Sequence, residues 1–244
     1  MANGSNSRAA VAAAWAVHLY TAATAVVALL ALQAFIDGDP RKGFLWLWAA
    51  VAIDSTDGAL ARWVRVKERT PRFDGTLLDN LADYLTFVFV PAWVVSLDAV
   101  VPSGWGLPLG VGMLLASAYG FSHKDAKTSD HFFRGFPSYW NIVAFYLYTL
   151  GMMPTVNGVI VGGLVVLVFA PVGFVYPSRT STLRGVTLVG GTIWAVAMLV
   201  AAWEFDGGPS AVARWSMIFP AYYVGVSVVL DRKRRKAIQS SLSP

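Results

Sequence analysis

Apolar residues fill this chain in long runs, broken by short polar stretches that hold most of the charge. Each run approaches the ~20 residues needed to cross a bilayer as a helix. Eight of them, near 10–36, 43–64, 76–97, 104–121, 138–152, 155–176, 184–204 and 211–230, predict eight membrane-spanning helices. The fifth is short and the fourth is rich in glycine. Pro91, Pro171, Gly190, Gly191 and Pro220 fall inside the runs, as membrane helices tolerate. The opening MANGSNSR is short and polar, and the run after it is too long for a signal-peptide core, so it reads as a first span that stays. No internal repeat interrupts the pattern. The predicted fold class is an all-α, polytopic integral membrane protein, one membrane domain over residues 1–244.

Composition agrees. The 244 residues are 56% hydrophobic and 14% charged, with a mean hydropathy of +0.56. Soluble domains carry about 25% charged residues. Cysteine is absent, which excludes disulfides, thiolate zinc sites and a cysteine nucleophile. The formal charge of +5 is modest and sits at the ends of the apolar runs, which points to membrane topology and away from nucleic-acid binding. With eight spans both termini share a side with loops 65–75, 122–137 and 177–183. That side then holds all but Arg41, Lys42 and Arg214 of the 19 basic residues, which predicts cytoplasmic termini. The tail DRKRRK, residues 231–236, reads as a cytoplasmic stop that could also attract anionic lipid.

The candidate chemistry lies where acids interrupt apolar helices. Asp54 and Asp57 are three apart and share a helix face that Gly58, Ala61 and Arg62 extend. On the next helix Gly75, Asp79 and Asp83 recur every fourth residue. A short basic connection joins the two helices, so the faces can meet near their cytoplasmic ends. Four close carboxylates cannot all stay ionised without countercharge. Protonation is one answer and bound cations are the other. Hard divalent ions, Mg²⁺ or Mn²⁺, suit an all-oxygen site. With no Cys and only His18, His123 and His131, a softer metal is disfavoured. Two such ions would make a pyrophosphate site. The small residues let a bulky ligand approach the backbone, and Arg62 could pair with a phosphate. The plainer alternative is acids that pair with nearby bases or face water at a helix end.

The ordered set Asp54, Asp57, Gly58, Ala61, Arg62, Gly75, Asp79, Asp83 resembles the signature of the CDP-alcohol phosphatidyltransferases at every fixed position. The connection of residues 63–74 is longer than that family's usual gap and resembles its bacterial phosphatidylcholine synthase branch. So do AVHLYTAATAVVA at 16–28, the run AKTSDHFFRGFPSYWNIVAFYLY at 126–148, the length and the span count. The resemblance implies transfer of a phosphatidyl group from CDP-diacylglycerol to choline, with release of CMP. It implies that Asp54, Asp57 and Asp79 hold two divalent cations, Mn²⁺ or Mg²⁺, and that Asp83 ligates the second and serves as base on the choline hydroxyl. Asp57, Gly58, Ala61, Arg62 and Gly75 would line the CDP site. It further implies a homodimer in the bacterial inner membrane, with the active site facing the cytoplasm.

Other contacts follow from chemistry and position. Choline's fixed positive charge suits aromatic faces, and Tyr84, Tyr139, Trp140 and Asn141 are the candidates beside the acidic helix or in the cytoplasmic run. Tyr20 and Thr21 on the first helix could touch the nucleotide. Arg134, Lys127 and Arg179 could grip the lipid phosphate, with Lys124 and Arg184 at the same level, although positive-inside placement accounts for all five. Rival readings are a different acceptor (serine, inositol or glycerol phosphate), an intramembrane prenyltransferase, and a cation transporter that uses intramembrane acids.

Overall fold

The computed structural model describes residues 7–123, 128, 132–176 and 182–242. It is mostly helical. In chain order the helices are α1 Arg8–Ile36, α2 Pro40–Trp63, α3 Val66–Arg69, α4 Gly75–Asp83, α5 Val90–Ser96, α6 Gly106–Ser122, α7 Trp140–Thr149, α8 Pro154–Phe169, α9 Arg184–Trp203, α10 Ala211–Ser216 and α11 Ile218–Leu242. A π-helical stretch, Tyr84–Phe89, joins α4 to α5, making one helix over Gly75–Ser96. Among the described residues, four helices are long and apolar enough to cross a membrane: Arg8–Ile36, Gly75–Ser96, Arg184–Trp203 and Ala211–Lys236. Their outer faces are apolar, with Leu19, Val26, Leu29, Val189, Ile193, Val196 and Val229 exposed. Outside a bilayer such a surface would aggregate.

The chain divides into two compact units, Met1–Pro91 and Ala92–Pro244. In the first, α1 lies along α2 and also touches α3, α4 and the π stretch. The two long helices turn sharply into one another. Asp39 caps α2 through the Lys42 amide at 3.0 Å, and Pro40 takes the first helical position, where no amide is needed. Gly43 then lies under the Phe35 ring, so close that any side chain would strike it. At the other end of α2, Val64 and Val66 pack on Ala14 and Val17 of α1, with Ala13, Leu60 and Ala61 around them.

In the second unit α6 packs on α8, and α9 packs on α10 and α11. Asp98 accepts from the Gly104 and Gly106 amides at 2.7 and 2.6 Å and so ties the loop before α6. Residues Trp140, Asn141, Ala144, Phe145, Tyr146, Leu147 and Thr149 of α7 are all buried. A helix apolar nearly all round belongs inside other helices.

Three features depart from the expected eight full spans. The apolar run at 138–152 yields a helix of 10 residues, whose rise of about 15 Å is half the hydrocarbon thickness. The run at 155–176 ends as a helix at Phe169, because Ala170 is extended (ψ 138) ahead of Pro171. Past Pro171 the chain enters a short two-stranded ribbon, the one non-helical pairing among the described residues. Phe132–Arg134 (β1) pairs antiparallel with Gly173–Val175 (β2), Phe132 opposite Val175 and Arg134 opposite Gly173. The apolar alphabet of β2 serves a buried strand as well as a helix, so periodicity does not separate them.

The ribbon is held on both sides. The Gly135 amide donates to the Val172 carbonyl at 2.8 Å and the Phe136 amide to Leu167 at 3.1 Å. Gly135 has φ +80, and a Cβ there would run into the Val168 carbonyl. From α11, Asp231 approaches Gly173 and binds Arg235 at 2.7 Å, while Arg234 lies over the Phe132 ring at 5.1 Å.

Gly135→Ala should therefore destabilise the second unit by at least about 1–3 kcal/mol, from left-handed backbone strain alone. Size-exclusion recovery after a heat ramp in detergent should fall for this variant and stay unchanged for Gly163→Ala, where a methyl group meets nothing.

Candidate active site

Of the four acids expected in one pocket, Asp54, Asp57 and Asp79 come together. On α2, Asp54 and Asp57 stand one turn apart on the side that faces α4. On α4, Asp79 follows Gly75 by one turn. One carboxylate oxygen from each of Asp54, Asp57 and Asp79 lies within 4.8 Å of the others. Asp57 is buried, 6% exposed, and Asp54 and Asp79 are half-buried. The connection between the helices makes this meeting possible. It leaves α2 through Arg65 in a left-handed conformation (φ 53), makes the short turn of α3, and enters α4 under the cap of Asp74, which accepts from the Thr76 and Leu77 amides at 3.0 Å.

The donor set fits a hard divalent cation. It is all oxygen, all carboxylate, and gathered from two helices. Mg²⁺ holds oxygen at about 2.0–2.1 Å, so ligand oxygens on one ion lie at most about 4.2 Å apart. A spread of 4.8 Å needs only small side-chain rotations to close. Asp83 stands a turn beyond Asp79, half-buried, as the last residue of α4 before the π stretch. The π register suits the proline at its end. Pro91 has no amide to donate and its ring crowds the carbonyl four residues back; the Val90 amide bonds instead to Leu85, five residues away. Such wide turns recur at functional sites.

Around the acids the surface is small and open. Near a Cβ added at Gly58 only the Arg62 Nη1 comes within reach, at 3.4 Å, so the exposed guanidinium lies back over the glycine. A cation poised over bare backbone can receive a phosphate. Gly75 is closed on its other side, where a Cβ would meet His18 Cε1 at 3.0 Å. Ala61 is half-buried against the Val64–Val66 cluster.

Tyr20 and Thr21 are bound to α2. The Thr21 hydroxyl donates to Asp57 Oδ2 at 2.8 Å, and the Tyr20 hydroxyl meets that of Thr56 at 2.9 Å. Thr21 therefore orients the buried carboxylate. Sequence spacing could have signalled this, since Ala10, Ala14, Val17, His18 and Thr21 form one stripe on α1. His18, to which the sequence alone assigned no role, is buried and bonded to Thr70.

Of the aromatic candidates, Tyr84 is half-buried directly after Asp83. Tyr139 is half-buried with its ring 6.4 Å from Phe133. Trp140 is fully buried, donates its indole N–H to Ser117 at 2.8 Å and packs edgewise on Phe136. Asn141 is buried and accepts from the Ile142 amide. Among the basic candidates, Arg134 is exposed on β1 and Arg184 is exposed at the start of α9. Lys124, Lys127, His131 and Arg179 lie outside the described residues.

No family model matches the chain. Curated relatives do. The chain is 43% identical over 173 residues to the phosphatidylcholine synthase of Legionella pneumophila, covering 70% of this chain and 68% of that one. It is 37% identical over 218 residues to the phosphatidylcholine synthase of Pseudomonas aeruginosa, covering 88% and 90%. With that of Bradyrhizobium diazoefficiens it shares 39% over 216 residues, covering 84% and 79%. Relatedness at this level over most of both chains, together with the aspartate and glycine signature on two facing helices, means that the chain belongs to the bacterial phosphatidylcholine synthases of the CDP-alcohol phosphatidyltransferase family.

Proposed function

We propose that this protein transfers the phosphatidyl group from CDP-diacylglycerol to choline and releases CMP. The observation that carries the reading is the meeting of Asp54, Asp57 and Asp79 at the ends of two apolar-faced helices, in a chain related over most of its length to phosphatidylcholine synthases. In this reading Asp54, Asp57 and Asp79 hold two divalent cations, with Asp83 as a further ligand of the second. Bound there, Mg²⁺ or Mn²⁺ neutralises the diphosphate and the departing CMP. Gly58 leaves room for the nucleotide, Gly75 lines its site with backbone, and Arg62 takes a phosphate oxygen. Asp83 accepts the choline hydroxyl proton as the oxygen attacks the β-phosphorus and the bond to CMP breaks. Tyr84, next along the helix, offers an aromatic face to the trimethylammonium.

The setting belongs to the same reading. The enzyme sits in the bacterial inner membrane with both termini and the acidic site at the cytoplasmic level, where a water-soluble head group reaches the acids while acyl chains stay in lipid. Eight passes remain the proposed topology, α7 and its flanks making the fifth. Non-helical backbone at such depth is tolerated when satisfied inside the protein, and the Gly135 and Phe136 amides are satisfied. The homodimer rests on family resemblance.

Purified protein given CDP-diacylglycerol, Mn²⁺ and labelled choline should yield labelled phosphatidylcholine and CMP in equal amounts. Product with serine, and none with choline, would reverse the acceptor assignment. Replacing Asp54, Asp57 or Asp79 by Ala should lower turnover by about a hundredfold or more, since even indirect partners of metal ligands cost about 10–100-fold. Thr21→Val should show that smaller loss, read as a higher Mn²⁺ requirement. Asp83→Asn should abolish turnover while CDP-diacylglycerol still binds, measured by equilibrium dialysis of a short-chain analogue; full activity in this variant would remove Asp83 as the base.

A further inference from the structure

We infer that His18 is a positioning residue for the second half of the acidic motif, acting through Thr70 as a strut between α1 and the start of α4. The inference rests on the metal reading above and adds a residue outside the family signature.

The connection from α2 to α4 spans residues 64–74 and has few means of holding itself. Its only regular piece is the four residues of α3. Yet α4 must start at a fixed height and angle, because Asp79 lies one turn after Gly75 and has to reach the oxygens of Asp54 and Asp57. Most of what fixes the connection comes from one stripe of α1. Val64 and Val66 pack on Ala14 and Val17. The Arg69 guanidinium reaches the Ala10 carbonyl at 3.5 Å. Phe73 packs on His18 at 4.4 Å and on Trp15 at 5.2 Å between ring centres.

Among these contacts the buried polar one is directional. His18 Nε2 and Thr70 Oγ1 are 2.9 Å apart, with His18 5% and Thr70 7% exposed. The Thr70 hydroxyl lies 3.0 Å from the Val66 carbonyl. With its proton directed there, Thr70 accepts from His18 Nε2. The adjoining edge of the ring, Cε1 and Nδ1, abuts Gly75, where a Cβ would lie 3.0 and 3.4 Å away. One imidazole thus ties the middle of the connection through Nε2 and sets the first residue of α4 with the neighbouring edge. Hydrophobic packing alone would let the connection slide; a buried hydrogen bond does so only by leaving a donor unpaired.

Mn²⁺ binding to the purified protein, without any lipid or nucleotide, tests this. The loss of free Mn²⁺ signal in electron paramagnetic resonance gives the affinity. Thr70→Val keeps the shape and removes the acceptor; it should weaken Mn²⁺ binding about fivefold to 150-fold, the range expected of an unpaired buried donor. His18→Ala and His18→Asn should do the same, and His18→Ala/Thr70→Val should be no worse than His18→Ala. His18→Gln places an amide N–H where Nε2 was and should recover most of the affinity. Parent-like affinity in Thr70→Val overturns the inference, as does a Gln variant no better than Ala. If His18→Ala does not reach the membrane folded, Thr70→Val and His18→Gln decide. A parent that binds no Mn²⁺ overturns the metal reading and this inference together. A parent that binds Mn²⁺, with variants as expected but no phosphatidylcholine made, removes the acceptor assignment alone.

Discussion

Asp57 is the constraint around which the first unit is built. It is a carboxylate on a helix inside an apolar chain, buried to 6% and sharing its surroundings with two more acids. Leaving water costs an ionised carboxylate several kcal/mol even after relaxation. One hydrogen bond from Thr21 returns only about 1.5–3 kcal/mol, the value of a bond to a charged group. A cation among the three acids would offset the rest, together with the repulsion that Asp54 and Asp79 add, and an all-oxygen donor set suits a hard divalent one.

That demand explains why α1 touches so much. It is a long apolar helix by composition, but its inward stripe is specialised. Small residues at 10 and 14 admit the connection, Val17 packs on Val64 and Val66, and His18 and Thr21 supply polar contacts to the two halves of the motif. The acids belong to α2 and α4, whereas their placement belongs to α1. A bilayer gives helices no hydrophobic reason to associate, so close packing and interhelical hydrogen bonds must do it.

Much of this was legible in the sequence, for physical reasons. The carboxylates fall at i, i+3 and i+4 intervals, and a helix turns those intervals into faces. Their cost in hydrocarbon makes them the natural candidates for function. The long apolar runs point to membrane helices, of which α1, the Gly75–Ser96 helix, α9 and the Ala211–Lys236 helix meet the length and hydropathy of a span. The roles of Thr21 and His18 were less visible, because a hydroxyl or imidazole on an apolar helix has many possible partners. The ribbon was missed because Gly173–Val175 continues an apolar run without any change of alphabet; Pro171 was the available signal. The π turn depends on which carbonyl an amide selects, which composition does not encode.

That wide turn has a geometric effect on the helix carrying it. Each added residue advances a helix by about 100°, so one extra residue in the turn rotates everything beyond it relative to Asp79 and Asp83. The stripe that bears the acids therefore stops at Tyr84 and does not run on toward Pro91. The acids and the apolar residues that follow the wide turn therefore lie along different bearings of the same helix.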